Sequence, residues 1–219
     1  MEGKENPLQP MIDEHMGQQM AMPIAHYEDL FAKADPELMS ARCGVPYAPT
    51  GDGKGVFALV LLGRPIEVSW PSMAMVYSDG GDSLPDKTRI IVAELLLNGQ
   101  LAPSTGRFIP YSEIPWGDHY LKAFQGRCIA RLAYMFKSAD AFSSAAERVG
   151  GTRIEGGDAS YEFDFIGGVM VRLTVWEADE EFPPSSQILF SDNAPLAFTA
   201  EDLAVVGDIV LGALKAARN

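Results

Sequence analysis

Alternating hydrophobic and polar residues predict two groups of β-strands, which lie about a hundred residues apart along the chain. In residues 169–175 every second side chain is Val or Leu, the pattern of a strand with one buried face. Short turns such as Gly63-Arg64-Pro65 and Gly167-Gly168 join neighbouring strands and predict antiparallel hairpins. The predicted strands are 56–62, 66–70 and 73–77, then 161–166, 169–176 and 188–190.

Helical spacing of apolar residues predicts helices on both sides of each strand group. Asp35-Pro36 separates the first two helices, Asn98-Gly99 ends the third, and Thr199 with Asp202 forms a variant of the capping box. A bend is expected near Gly126. The predicted helices cover residues 24–34, 36–42, 87–98, 118–137, 138–149 and 199–217. Residues 100–118 show no period and contain three prolines, which predicts a long irregular connection.

The two strand groups align with each other at a nearly constant offset. LFAKAD at 30–35 aligns with MFKSAD at 135–140, and Trp70 aligns with Trp176 at an offset of 106 residues. Ser78-Asp79 and Ser191-Asp192 align at 113, so seven extra residues follow Trp176. We interpret the pattern as an internal duplication. Both tryptophans are expected to occupy equivalent, mostly buried positions.

The predicted fold class is α+β, an internally duplicated helix–three-strand–helix unit with antiparallel strands and a pseudo-two-fold axis. Residues 25–219 are expected to form one pseudo-symmetric domain. Its halves would be about 25–99 and 134–217, linked by residues 100–133. Residues 1–24 are rich in Met and Pro and predict a flexible N-terminal arm.

The net charge of the chain limits the classes of binding partner that are expected. The 219 residues include 30 acidic and 17 basic ones, for a net charge of −13. Such a field repels phosphate backbones and anionic lipid, so we predict no nucleic-acid or membrane partner, and a protein partner is the better expectation. No apolar run approaches the ~20 residues of a membrane span, and no secretory signal is recognised, so a cytoplasmic location is expected. Cys43 and Cys128 form neither a disulfide framework nor a metal-binding spacing.

The extra residues after Trp176 carry an acidic loop, defined here as residues 177–181. If this loop is functional, its carboxylates should converge with the 100–118 connection on one polar pocket. The alternatives are a solvated loop, acids that pair with arginines or cap a helix, and ligation of Ca²⁺ or Mg²⁺. No metal site is assigned, because the spacing matches no known metal loop. The candidate binding residues are Asp179, Glu180, Glu181, Arg107, Tyr111 and Glu113.

His119 is the candidate catalytic residue, since a histidine beside a carboxylate can act as a general base. Its neighbour Asp118 points elsewhere on a helix, however, so a surface or capping histidine is the favoured interpretation. Asp179 is the acid most expected to bond nearby backbone N–H groups, because its side chain is short.

Several segments resemble an uncharacterised bacterial and archaeal family, catalogued as domain of unknown function 3786. The resemblance is carried by W-x-x-D-E-E-F-P at 176–183, I-L-F-x-D at 188–192, LLLNG at 95–99 and TGRFIPYSE at 105–113. It covers most of residues 25–215 and implies a protein typical of anaerobes. Members are sometimes joined to a cysteine-rich iron–sulfur module, but this sequence contains no four-cysteine motif. The family has no activity to carry over.

The predicted function is a non-catalytic binding or accessory protein, associated through the resemblance with anaerobic redox or one-carbon metabolism. One alternative is an enzyme that uses the acidic loop 177–181 with His119, in a divalent-metal-dependent form. Another is a tetrapyrrole- or corrinoid-handling protein, which rests on association alone. The ligand, cofactor and oligomeric state are not predicted.

Overall fold

A computed structural model describes residues 24–80 and 83–218. It is an α+β structure whose strands pair antiparallel wherever the chain is described. The predicted N-terminal arm lies outside the described residues, apart from Ile24. No helix in the described ranges is both long enough and apolar enough to cross a membrane.

Nine strands of the described residues form the sheet, in the order β4-β3-β2-β7-β8-β9-β5, with β1 paired to β2 and β6 paired to β7. The strands are β1 (Tyr47–Gly51), β2 (Lys54–Leu61), β3 (Arg64–Trp70), β4 (Ala74–Tyr77), β5 (Phe108–Pro110), β6 (Thr152–Ile154), β7 (Ala159–Ile166), β8 (Val169–Trp176) and β9 (Ser185–Ser191). Strands β2 and β7 pair through Leu61 and Ile166, which joins the two halves of the chain.

The helices are α1 (Ile24–Lys33), α2 (Pro36–Cys43), α3 (Asp86–Asn98), α4 (Gly117–Phe124), α5 (Arg131–Met135), α6 (Ala139–Arg148), α7 (Ala194–Ala197) and α8 (Ala200–Ala216). A π-helical segment, Gln125–Ala130, connects α4 to α5, at the position where the sequence predicts a bend. A 3₁₀ turn, Tyr111–Glu113, follows β5.

The helix ends follow the capping chemistry of the sequence. The Asp35 carboxylate accepts from the backbone N–H groups of Glu37 and Leu38 at 2.9 and 3.2 Å, and thereby starts α2. Gly44 ends this helix with φ at 79°, a left-handed conformation that glycine adopts without strain. The capping box of Thr199 and Asp202 forms at the start of α8. These predictions are confirmed.

Each half of the chain contributes four strands to the sheet, where the sequence predicts three. The additional strands β1 and β6 pair with the first residues of β2 and β7. They are short and mostly exposed, so they lack the alternation that reveals a half-buried strand. Strand β5 lies within the 100–118 connection and was also missed, because three residues carry no period.

Helix α8 packs against α3, α4, the π segment and α6, and most of its residues are buried. Gly207 allows the close approach: a Cβ there would lie 3.2 Å from the Phe124 ring and 3.3 Å from the Cys128 sulfur. The Cys128 thiol in turn contacts the Ala204 carbonyl at 3.7 Å. Buried side chains from both halves of the chain join in one hydrophobic core.

The two matching tryptophans end β3 and β8, but their surroundings differ. The Trp70 indole is half-buried and donates to the carbonyls of Phe31 and Ala34, both at 3.1 Å. Trp176 is 39% exposed, so the prediction of a mostly buried side chain is wrong there. Strand β8 ends beside a groove instead of beneath a helix, which leaves this indole partly in solvent.

Candidate functional site

A groove of about 660 Å³ lies between β9 and the helical segment formed by α4, the π segment and α5. We call it the β9 groove. Its lining includes Leu121, Gln125, Ile129, Ala130, Ala133 and Tyr134 on the helical side, Pro110, Tyr111 and Ser112 at one end, Trp176 and Pro184 at the other, and residues 185–189 along the strand.

One edge of β9 is only partly covered. Strand β8 pairs along one side of β9, while β5 occupies the other side from Leu189 to Ser191. After Pro110 the chain leaves the sheet through the 3₁₀ turn, and proline has no N–H with which to extend a ladder. In the described part of the chain, no strand pairs with residues 185–188 on this side. The edge therefore presents backbone groups to the β9 groove.

The helical side of the groove is anchored to the strand beneath it. The Ser186 hydroxyl donates to the Ile129 carbonyl at 2.7 Å, and Ile188 is buried. Ser185 and Gln187 alternate with these residues and are exposed. The strand is thus held in place by one face, while its edge stays accessible.

Three large aromatic side chains around the groove are exposed to solvent. Tyr134 and Trp176 line it and are 69% and 39% exposed, and Phe182 in the following loop is 66% exposed. Exposed aromatic groups gathered beside a concave surface are typical of interaction sites.

The acidic loop starts where β8 ends. The Asp179 carboxylate accepts from the backbone N–H groups of Glu181 and Phe182 at 2.8 and 2.7 Å, the backbone contact expected for this residue. These hydrogen bonds hold the pKa of Asp179 below its usual value. Asp179 also donates its own N–H to the Phe182 carbonyl at 3.0 Å, which closes the loop.

Glu177 connects the loop to a helix. Its carboxylate accepts from the Ala139 N–H at 2.5 Å, at the first turn of α6, where a negative charge is favourable. The Glu177 N–H donates to the Asp158 carboxylate at 2.6 Å. Glu180 and Glu181 are exposed, and no ion pair holds their side chains within the described ranges. Two acids of the loop are therefore structural, and two face solvent.

The candidate residues of the 100–118 connection take different places. Arg107 and Glu113 form an ion pair with each other. Tyr111 is buried, donates its hydroxyl to the Ala200 carbonyl at 2.6 Å and stacks on Phe124 with ring centroids 4.0 Å apart. Burial raises the pKa of Tyr111 above its ordinary value.

The two irregular stretches border one groove, but their charged groups do not meet in it. Tyr111 and Ser112 of the connection and Trp176 and Pro184 around the acidic loop line the β9 groove. Across the described residues, no hydrogen bond or ion pair joins the acidic loop to the Arg107–Glu113 pair. The shared surface is thus mainly apolar, and none of the acids of residues 177–181 is among its lining residues.

His119 lies away from the acidic loop. Its ring is exposed and contacts Trp116, with centroids 5.5 Å apart. Trp116 lines a separate cleft of about 540 Å³ together with Tyr120, Glu94 and Glu201. Burial, Asp202 and Glu94 raise the pKa of Glu201. The geometry therefore does not unite His119 with residues 177–181.

No group of three or more His, Cys, Asp or Glu side chains in the described ranges is arranged to hold a metal ion. Both described cysteines are buried, and burial raises the pKa of each thiol, to about 12 for Cys128. Thiol ligation or thiolate chemistry is therefore disfavoured at these positions.

The sequence that forms this fold and its groove was compared with known protein families. The family model described as "Domain of unknown function (DUF3786)" matches residues 35–213. The chain belongs to this family. The DUF3786 match spans β1 to β9, the acidic loop and the whole β9 groove, so the resemblance found in the sequence motifs is confirmed. Comparison with curated proteins and with solved structures gave no match.

Two parts of the DUF3786 groove escaped prediction from sequence. Tyr134 falls off the apolar stripe of its helix, which includes Phe124, Cys128 and Leu132, and an aromatic residue in that position signals exposure. The open edge of β9 depends on where β5 stops. The signal available in the sequence was Pro110, which ends the possible ladder.

Proposed function

We propose that this DUF3786 protein is a non-catalytic binding protein whose β9 groove takes an extended segment of a partner protein, with basic residues next to apolar ones. One observation carries the proposal: the uncovered edge of β9 at residues 185–188 and the exposed aromatic rings of Tyr134 and Trp176 line the same groove. Backbone pairing and side-chain pockets together are how proteins recognise extended segments.

The strand edge sets the direction of the bound segment. Strand β5 runs antiparallel to β9, from Ser191 towards Leu189, and stops at Pro110. A partner segment that continues along the same line would pair with residues 188 to 185 in the same direction. Its C-terminal end would then lie beside Trp176 and the acidic loop. Antiparallel addition along this edge would give the segment main-chain hydrogen bonds.

The acidic residues next to the groove favour basic residues at the C-terminal end of the bound segment. Glu180 and Glu181 are exposed in the loop between Trp176 and Pro184, which both line the groove, and the chain as a whole carries a net charge of −13. A basic segment is attracted by this field, and the attraction is weakened by salt. The apolar residues of the segment would pack on Tyr134, Trp176 and Ile129, which the groove presents.

The test uses synthetic peptides and the indole signals of the protein. The probe is an eight-residue peptide of alternating Val and Thr that ends in three lysines, titrated into ¹⁵N-labelled protein. Trp70 lies against α1 and Trp116 in the separate cleft, so they serve as internal controls. We expect the indole signal of Trp176 to shift, together with the amides of residues 185–188, while the other two indoles stay in place.

Three controls separate the elements of the proposal. Moving the lysines to the N-terminus should weaken binding, because the charge would lie away from the acidic loop. N-methylation of alternate residues should abolish binding, because it removes the edge hydrogen bonds. Reversal of charge in Glu180→Lys with Glu181→Lys should weaken binding several-fold and remove its salt dependence. Equal binding of all three peptides, or shifts at Trp116 in place of Trp176, would contradict the proposal.

We also infer that the two halves of the chain derive from one duplicated unit with a pseudo-two-fold relation. Support comes from the pairing pattern, since β1–β4 and β6–β9 each pair in chain order, and helices precede and follow both series. Trp70 and Trp176 end the third strand of each series. The test is a superposition of an experimental structure of residues 30–98 on residues 135–214, in which a different strand path would refute the duplication.

The family resemblance suggests where the partner is to be sought. We infer a partner among redox or one-carbon enzymes of anaerobic metabolism. An extended basic segment on such an enzyme, bound by wild type and not by the Glu180→Lys, Glu181→Lys variant, would support this setting. Binding that both proteins share equally would argue against it.

A further inference from the structure

A second concave site lies apart from the β9 groove and shares no lining residue with it. This open cavity of about 700 Å³ is bordered by the β2–β3 turn, the start of α3, the end of α6 and the C-terminal half of α8. Its volume falls in the range of small-molecule sites, roughly 300–1,000 Å³. We call it the α8 cavity.

The charged side chains that line the α8 cavity in the described part of the chain are basic, whereas the protein as a whole is acidic. Among the described residues, its lining includes Arg64, Lys87 and Arg148 and no acidic side chain, although the chain contains 30 acidic residues. A concave site with basic walls and low-dielectric surfaces concentrates a positive potential inside it. The net charge of the chain therefore says little about what this cavity attracts.

Lys87 belongs to a cluster of cations on the helices around α8. Its ammonium contacts the Asp208 carboxylate at 2.7 Å, and Arg127 and Arg131 reach the same carboxylate at 3.2 and 2.5 Å. The Lys87 ammonium has three N–H donors, and its side chain is 40% exposed. Lys87 stands at the cavity side of the cluster, so it can hold an anion there with its remaining N–H donors.

The other two cations that line the α8 cavity, Arg64 and Arg148, are held in fixed orientations. The Arg64 guanidinium makes two hydrogen bonds to Asp79, at 2.9 and 3.2 Å, and lies 3.6 Å from the centre of the Tyr77 ring. Arg148 donates to the Ala217 carbonyl at 2.9 Å, near the C-terminal end of α8. This contact offsets the partial negative charge of that helix end.

The wall formed by α8 is apolar and made of small residues. Gly212, Ala213 and Ala216 line it, and no atom lies within 4 Å of a Cβ placed on Gly212. Leu61 and Ile209 add further apolar surface. The cavity thus combines a basic end with an apolar wall.

We propose that the α8 cavity binds a small organic anion, a carboxylate or phosphate attached to an apolar body. The anionic group would lie beside Lys87 and Arg148, and the body would lie against Gly212 and Ala216 of α8. This site is independent of the partner-binding function proposed for the β9 groove.

The experiment is a calorimetric titration of the full chain with decanoate, decyl phosphate, inorganic phosphate and the neutral analogue decanol. Gly212→Leu places a bulky side chain on the wall of the cavity, at a position where a Cβ meets no atom within 4 Å. Gly126→Leu is the matched control, since a Cβ on Gly126 in the π segment also meets no atom within 4 Å and Gly126 does not line the cavity. Lys87→Met removes the charge, and a thermal melt of each variant reports its folding.

We expect wild type and Gly126→Leu to bind decanoate or decyl phosphate alike, and Gly212→Leu to bind at least tenfold more weakly without a lower melting temperature. Lys87→Met should weaken the anion severalfold and leave decanol unchanged. Preference for decyl phosphate over decanoate, with competition by inorganic phosphate, would assign the phosphate class, and the reverse preference would assign the carboxylate class. Absence of anion binding by wild type, undiminished binding by Gly212→Leu, or decanol bound as tightly as decanoate would overturn the proposal.

Discussion

Asp208→Asn is the substitution that best tests how helix α8 is held in place. The Asp208 carboxylate lies on α8 with 13% of its side chain exposed, and it accepts from a lysine on α3, an arginine on the π segment and an arginine on α5. An asparagine keeps the shape of the side chain and one acceptor oxygen but removes the negative charge. Three cations would then lie close together without their shared partner.

The expected loss of stability depends on how deeply Asp208 and its three cationic partners are buried. Removal of one partner from a fully buried ion pair costs about 3–5 kcal/mol. Here Lys87, Arg127 and Arg131 are 40%, 27% and 35% exposed, so water screens part of the repulsion that would follow. We expect a loss of about 2–3 kcal/mol in the free energy of unfolding. For a chain of this length that corresponds to a decrease of roughly 4–12 °C in the melting temperature.

The pH dependence provides a second, independent readout. Burial by itself would raise the pKa of Asp208, but the hydrogen bond and charge of Lys87, with Arg127, lower it below its ordinary value. A carboxylate with a depressed pKa in the folded state stabilises the protein above the pKa of the unfolded chain, about 4, and loses this contribution as the pH falls through the folded-state value. Asp208→Asn lacks the contribution at every pH. The difference in stability between wild type and variant should therefore be constant near neutral pH, begin to shrink as the pH falls through about 4, and vanish only below the lowered pKa of the folded state.

Thermal melts of both proteins between pH 3 and 8 test this reasoning. The matched control is Asp79→Asn, which makes the same change in an ion pair whose partners are 44% and 48% exposed and should leave the melting temperature nearly unchanged. If Asp208→Asn melts like this control, or if its difference from wild type does not shrink between pH 5 and pH 3, the ionic role of Asp208 is refuted.

Three further predictions concern packing and capping. Gly207→Ala should lower stability by about 1–3 kcal/mol because its Cβ would crowd the π segment. Gly212→Ala on the same helix should raise stability by about 0.5–1 kcal/mol, because no atom lies near the added Cβ. Equal denaturation midpoints of the two variants would refute this contrast. Tyr111→Phe should cost about 1–2 kcal/mol in chemical denaturation because a buried carbonyl loses its donor, so an unchanged midpoint would show that the hydroxyl is dispensable. Glu177→Gln should lower the melting temperature by about 1–3 °C, because the negative charge at the start of α6 is lost. Glu180→Gln is the control and should leave the melting temperature unchanged. Equal melting temperatures of the two variants would count against a capping role of Glu177.

Local signals determined most of the secondary structure. Asp35-Pro36, Gly44 and the Thr199–Asp202 pair mark helix ends because their capping contacts lie within a few residues along the chain. Strand β8 was predictable because each of Val169, Val171, Leu173 and Val175 is buried on one face. Asp179 bonds the backbone two and three residues ahead, which is also a local contact. The family followed from the same motifs.

Tertiary contacts decided the features on which the proposed binding sites depend. The exposure of Trp176 depends on the groove beside β8, and the open edge of β9 depends on where a strand some eighty residues earlier stops. The cations around Asp208 come from positions 77 to 121 residues away, a separation that no periodicity reveals. His119 contacts Trp116 of a separate cleft and not the acidic loop for the same reason. A strand or a cap records its neighbours in the sequence, whereas a groove, a cavity or an ion cluster is made by residues that only the packed chain brings together.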